Sequence, residues 1–208
     1  MKYTDFDRIF RDYGLVHTRS IFLEDPWFDT IQLTRRAKKW LIHKLVNWYW
    51  VFATRAQDTL TRQYIASAVY TPSYLSLERA LSYYGMIPES VFQYTSVTSR
   101  KTQSYTILQK NYTYQKIKPS LMFGYDVIDA DGYKIRIGQP EKVLLDYFYL
   151  HPHIIDPEDF EWLRLNVFTL QELIDQEKLL IYAVKYPKKT QKTIQSLLHY
   201  INVWSHAN

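Results

Sequence analysis

Apolar residues recur at helical spacing over Thr4 to Asp12, where Phe6, Ile9 and Phe10 share one face. Gly14 ends that helix, and Thr18 is placed to cap a second short one through Leu23. Asp25-Pro26 reads as the start of a third helix, Asp as N-cap and Pro in the first turn, running to about Trp40. Leu33 and Ala37 turn inward with Phe28 or Ile31, which leaves Arg35, Arg36, Lys38 and Lys39 in water. Leu41 to Ala53 is rich in β-branched and aromatic residues and is interrupted at Asn47. That is a hairpin pattern, with Asn at the turn because it tolerates positive φ. Three short helices followed by a two-stranded wing predict a winged helix-turn-helix over residues 1–55, with the third helix as the one that enters a DNA major groove.

The pattern then changes. Ala56 to Val69 predicts a polar amphipathic helix, Thr71-Pro72-Ser73 a break, and Ser76 the cap of a helix from Leu77 to Tyr84 that stops at Gly85. Alternation from Gln93 to Arg136 predicts strands near 94–99, 104–108, 112–117, 124–128 and 133–137, the last two joined by a turn at Asp129-Ala130-Asp131-Gly132. Pro140 opens a helix through Leu150 with Val143, Leu144, Tyr147 and Phe148 buried. Further helices are expected from Asp156-Pro157 to about Leu165, from Leu170 to about Lys178, and from Thr190 to Trp204. The fold class expected is α+β: the winged helix, then residues 56–208 as a mixed α/β domain with a mainly antiparallel sheet and C-terminal helices.

Charge sharpens the division. Ten of the 26 Lys/Arg but only six of the 21 Asp/Glu lie in residues 1–55, and none of those acids falls between Thr30 and Arg55. A concentrated basic patch is the footprint of phosphate binding, and here it coincides with the predicted recognition helix and wing. The candidate DNA contacts are Arg35, Arg36, Lys38 and Lys39 on the helix, with Lys44 and Trp48 on the wing. The ordinary alternative is a solvated helix face.

Composition narrows the chemistry. With no cysteine there is no disulfide, thiolate nucleophile or Cys-ligated zinc. Five glycines leave no Gly-rich phosphate loop, and no Gly-x-Ser-x-Gly elbow occurs. His151 and His153 lack the helical spacing of a zinc pair, and Glu141 and Asp146 are five apart and do not face each other. Neither enzyme activity, metal nor cofactor is expected. The start lacks a signal-peptide core and no apolar run reaches membrane-spanning length, so a soluble, cytoplasmic protein is expected.

Three stretches carry a family resemblance. They are Tyr74 to Ile87 (YLSLERALSYYGMI), Val97 to Lys101 (VTSRK) and Ile135 to Asp146 (IRIGQPEKVLLD). In order and spacing they resemble the AbiEi-type antitoxins, whose layout also places a winged helix in front. The chain departs from that pattern at Lys39-Trp40-Leu41, Asn47-Trp48 and Gln139. The resemblance implies an antitoxin of an abortive-infection toxin–antitoxin system. Such a protein neutralises a nucleotidyltransferase toxin without a stable complex and represses its operon by binding inverted repeats in double-stranded DNA. Two alternatives stay open. One is a winged-helix regulator with a ligand- or protein-sensing C-terminal domain and no toxin. The other is a degenerate α/β enzyme recruited as an RNA-binding or scaffold protein.

Overall fold

A computed structural model describes residues 1–130 and 132–207; it is a mixed α and β fold built on two sheets. Helices α1 (Tyr3–Phe10), α2 (Thr18–Glu24) and α3 (Ile31–Lys38) surround an antiparallel sheet of β1 (Leu15–His17), β2 (Ile42–Lys44) and β3 (Tyr49–Phe52), ordered β1-β3-β2. Phe6, Phe10, Ile21, Phe28, Leu33 and Trp50 fill the core between them. Of the two residues expected to turn inward beside Leu33, Phe28 does and Ile31 is exposed.

Local polar chemistry moves several boundaries. The third helix begins five residues later than Pro26. The Asp25 carboxylate turns back on the Trp27 amide (3.3 Å), closing a turn, and Asp29 Oδ1 accepts from Ile31 N (2.9 Å) where α3 starts. Thr18 does not cap α2. His17 Nδ1 accepts from Arg19 N (3.0 Å), while the Thr18 hydroxyl donates to the Trp48 carbonyl and accepts from Trp50 Nε1, both at 3.0 Å. Strand β1 was not expected, because three residues are too few for a period of two to show.

The second sheet runs β6-β7-β5-β4-β9-β8, from β4 (Ser73–Leu75), β5 (Tyr94–Thr98), β6 (Gln103–Ile107), β7 (Lys110–Lys116), β8 (Tyr125–Ala130) and β9 (Tyr133–Gly138). Pairs β6/β7, β4/β5 and β8/β9 are antiparallel; β5/β7 and β4/β9 are parallel. The short central β4 was read as a break. It is buried throughout, so the alternation that marks a half-exposed strand is missing. Its side chains still point both ways. Leu75 lies beside Leu60 and Gln63 of α4 (Thr59–Ala68), and Tyr74 reaches Asp146 of α6 (Pro140–Leu150). Helix α5 (Leu77–Tyr83) packs on α6, as do α9 (Gln176–Ala183) and α10 (Lys188–Ala207); α7 (Pro157–Trp162) and α8 (Val167–Leu173) pack on α10. The single helix expected near 170–178 is two, α8 and α9, because Asp175 caps a fresh start through Lys178 N (3.0 Å). Of the expected Asp129–Gly132 turn, Asp131 lies outside the described residues; Gly132 N donates to Asp129 Oδ1 (3.1 Å).

Apolar contact crosses residue 55. Leu15, Leu45, Val51 and Ala56 belong to the same core as the large sheet. Gly14, at φ +67°, sits against the buried Tyr133 ring, so close that a Cβ there would lie 1.9 Å from Tyr133 Cε1. Arg55 Nη1 donates to the Tyr133 hydroxyl (2.7 Å), and Asn47 Nδ2 donates to the Val69 carbonyl (2.6 Å). Cutting the chain at residue 55 therefore strips apolar cover from the second sheet. No helix among the described residues is long and apolar enough to cross a membrane.

Candidate nucleic-acid interface

Helix α3 carries Arg35, Arg36 and Lys38 in its last turn, where cations suit the macrodipole. The 3.6-residue period separates them. Leu33 and Arg36, three apart, share the inward face, while Arg35 and Lys38 point out. Lys39 follows the helix and is also exposed. The expectation that Arg36 stays in water is thus corrected: the residue is only 6% exposed. Its Nη2 donates to the Met1 carbonyl (2.9 Å) and to Gln32 Oε1 (3.0 Å), and its guanidinium lies 4.3 Å from the Phe6 ring centroid. Burial pulls its pKa down from the usual arginine value. A planar, weakly hydrated guanidinium tolerates such a stacked site. This side chain packs the module and is not presented to a partner.

The hairpin turn has Asn47 at φ 54° and Trp48 at φ 65°, and Tyr49 N donates to Val46 O (3.2 Å). Two consecutive positive φ values mark a type I′ turn, which matches the twist of the flanking strands. The turn backbone is anchored. Trp48 O accepts from both Thr18 N and Thr18 Oγ1, and the Asn47 amide reaches Val69. The side chains of Lys44 and Trp48 project, with Lys44 Nζ 5.8 Å from the Trp48 ring. Arg35, Lys38, Lys39 and Lys44 form no ion pair among the described residues. Three tryptophans of residues 1–55 are exposed: Trp48 at 67%, Trp40 at 75%, and Trp27 at 95%. Trp27 was missed because it was placed inside a helix; its signal was the Asp25-Pro26 turn before it.

A second constellation was not foreseen. Asp146 is fully buried and collects four donors: Tyr74 hydroxyl (2.7 Å), Ser76 hydroxyl (3.1 Å), Tyr186 hydroxyl (2.9 Å) and Lys142 Nζ. Ser76 stands at the N-cap of α5 as expected, yet its hydroxyl makes no cap bond and serves Asp146 instead. Burial raises the Tyr74 and Tyr186 pKa values well above the usual tyrosine value, and the Asp146 charge pushes the same way. Burial lowers that of Lys142 against the pull of Asp146. Glu141 points elsewhere. It accepts from Asp175 N (3.1 Å) and pairs with Lys178 Nζ (2.9 Å), which ties α6 to α9. The sequence signal was the i,i+4 spacing of Lys142 and Asp146 in a helix with no polar face. The network is buried and clamps β4, α5, α6 and the segment before α10.

His151 stacks on Tyr147 (4.3 Å between centroids), and its Nε2 lies 3.9 Å from Glu78 Oε1. Among the described residues no group of three or more His, Asp or Glu side chains is placed to hold a metal ion.

No protein-family model matches the chain, and no curated protein matches it in sequence. In structure it is similar to the RV2827C protein from Mycobacterium tuberculosis, with a TM-score of 0.53 and 13% identity. The match covers 84% of this chain and 66% of the other. At that identity the likeness is one of fold alone.

Proposed function

We propose that the chain is a DNA-binding regulator of the AbiEi antitoxin type. In this reading residues 1–55 act as a winged helix on operator DNA, and the remainder serves neutralisation of a nucleotidyltransferase toxin. The observation that carries the DNA-binding part is the outer face of α3. Arg35, Lys38 and Lys39 are exposed there without carboxylate partners, on the third helix of an α1-β1-α2-α3-β2-β3 chain. That order is the connectivity in which a third helix enters the major groove and the β2–β3 hairpin lies beside it. The antitoxin part rests on the resemblance. Support comes from the meeting of its first and third stretches, Tyr74 and Ser76 with Lys142 and Asp146, in one buried network. The middle stretch ties in separately: Thr98 Oγ1 donates to Pro72 O (2.7 Å) and Arg100 lies over Tyr70 (4.5 Å).

The test is a gel shift with the region upstream of the gene, on the full chain and on an Arg35→Glu/Lys38→Glu variant, alongside growth rescue from the neighbouring toxin gene. Loss of the shift with rescue retained is the expected result. A shift that survives the double reversal refutes the assignment to α3.

A further inference from the structure

The large sheet carries a cationic cleft where β5 and β7 begin. Arg62 of α4, Arg79 of α5 and Lys110 of β7 line it, with the hydroxyls of Thr59, Ser82 and Ser90 and the rings of Phe92 and Tyr94. Its volume is about 360 Å3, and no Asp or Glu lines it. Three carboxylates adjoin it in the chain, and Glu78 faces His151, with Oε1 3.9 Å from Nε2. Asp58 caps α4 through Thr61 N (2.8 Å), and Glu89 pairs with Arg164 (3.1 Å). Arg62, Arg79 and Lys110 form no ion pair among the described residues. Because residues 56–208 are nearly neutral in sum, composition hides this cluster.

The guanidiniums are held in place. Arg62 Nε donates to the Ala56 carbonyl (3.2 Å), and Arg79 Nη1 to the Val91 carbonyl (2.8 Å), with the Arg79 guanidinium 4.8 Å from the Tyr94 ring centroid. Arg79 Nε is buried with no hydrogen-bond partner. Buried donors without partners are uncommon and call for an explanation. An anion bearing several acceptor oxygens offers the Arg79 guanidinium an acceptor, and it supplies the countercharge that the three lining cations lack. Beside them Phe92 is 74% exposed, and Lys110 Nζ lies over its ring, 5.4 Å from the centroid. We infer that this cleft binds a free mononucleotide, its phosphate held by Arg62, Arg79 and Lys110 and its base stacked on Phe92. The volume lies within the range of small-molecule sites, near its lower end. The inference does not rest on DNA binding by α3, and it gives the second module a ligand to sense.

The experiment is titration calorimetry on the full chain with AMP, adenosine, inorganic phosphate and a short single-stranded oligonucleotide, repeated on Arg62→Gln, Lys110→Gln and Phe92→Ala. AMP should bind, phosphate more weakly, and adenosine weaker than AMP by about tenfold or more. Arg62→Gln and Lys110→Gln should each weaken AMP by about tenfold, with melting curves confirming folded protein. Phe92→Ala should weaken AMP and leave phosphate unchanged. The Arg35→Glu/Lys38→Glu chain should bind AMP normally, which separates this cleft from α3. The inference is overturned if neither AMP nor phosphate binds at millimolar concentration, or if Arg62→Gln and Lys110→Gln bind AMP as the unchanged chain does. It is equally overturned if the oligonucleotide binds far more tightly than AMP through Lys110, because the cleft would then follow a strand.

Discussion

Arg36 in the small module and Lys142 in the large one are both buried helical cations, and they are stabilised by different means. Lys142 has Asp146 one turn away, and the other oxygen of that carboxylate is saturated by the Tyr74 and Ser76 hydroxyls. Arg36 has no carboxylate; a carbonyl and an amide oxygen take its Nη2 and aromatic faces pack against it, while its Nη1 is buried without a hydrogen-bond partner. The difference follows from hydration. An ammonium is a compact, strongly hydrated point charge, whereas a guanidinium is planar, delocalised and more readily stacked. In sequence the two look alike, as cations within predicted helices. Only the neighbours that the fold supplies tell a packing cation from a contacting one.

The comparison is tested most severely at Asp146. Asp146→Ala leaves Lys142 buried without a countercharge and orphans three hydroxyls. It should cost about 3–5 kcal/mol in urea unfolding. Arg36→Met orphans no opposite charge and keeps most of the volume, so about 1 kcal/mol or less is expected. The double change Asp146→Leu/Lys142→Met should recover most of the loss. If Asp146→Ala costs no more than Arg36→Met, the contrast fails.

Alkaline pH probes the same network from its tyrosines. Tyr74 and Tyr186 have folded pKa values above the usual one, chiefly through burial, as does Tyr114 outside the network. Their contribution is fully present below the unfolded value of about 10, and it is lost as pH rises towards the folded values. Each such tyrosine lowers stability by about 1.4 kcal/mol per pH unit in that window. Lys142 runs the other way. With its folded pKa depressed, it penalises folding at lower pH, and the penalty lifts as pH rises towards about 10.4. One lysine against several tyrosines gives net loss. Unfolding should set in above about pH 10, together with the tyrosinate absorbance. Titration of these buried tyrosines well before unfolding contradicts this ordering.

The small module was legible because its aromatic and basic residues follow simple periods. The hairpin at Asn47 and the exposure of Arg35, Lys38 and Lys39 agree with the pattern. For Arg36, charge predicts exposure, while its place three residues after Leu33 points it inward, where the fold puts it. In the large module the long strands and the Pro140 start of α6 were legible, and β4 was not, since buried strands lose their alternation. The Asp146 network was illegible because its members lie up to 112 positions apart in numbering, from Tyr74 to Tyr186, and each has a local role that hides it. The cationic cleft is assembled from four elements and the segment before β5, and leaves no linear motif at all.

Binding offers a milder test. Arg35→Glu/Lys38→Glu should leave the melting temperature nearly unchanged, because both side chains are exposed and unpaired. If both contact phosphate, binding should fall on every DNA sequence. The slope of log affinity against log salt should shrink by about 2, at roughly 0.9 per phosphate contact. If one of them reads a guanine, discrimination at that base alone should drop by about 1–3 kcal/mol. Arg36→Met should do neither. Gel shifts at several salt concentrations decide it; a salt slope altered by Arg36→Met and untouched by the double reversal inverts the comparison.

The smallest effect is expected at Trp48. Its φ of 65° is unusual for a bulky residue, its ring is 67% exposed, and its backbone carbonyl is already held by Thr18. Trp48→Gly keeps that carbonyl and removes the steric cost of positive φ, which is of order 1 kcal/mol or more for a non-glycine residue. Against this stand the lost ring contact with Lys44 and the greater freedom of glycine in the unfolded chain. The two sides nearly cancel, so stability should change by less than about 1 kcal/mol in either direction. A strained, exposed tryptophan that contributes little to folding is explained if the ring works at the surface. On that ground Trp48→Gly should weaken operator binding with the salt slope unchanged, since an indole neutralises no phosphate. The check is the same gel-shift series beside a urea melt. A variant that binds DNA as well as the unchanged chain, at equal stability, removes Trp48 from the interface and leaves Lys44 as the candidate contact of the hairpin.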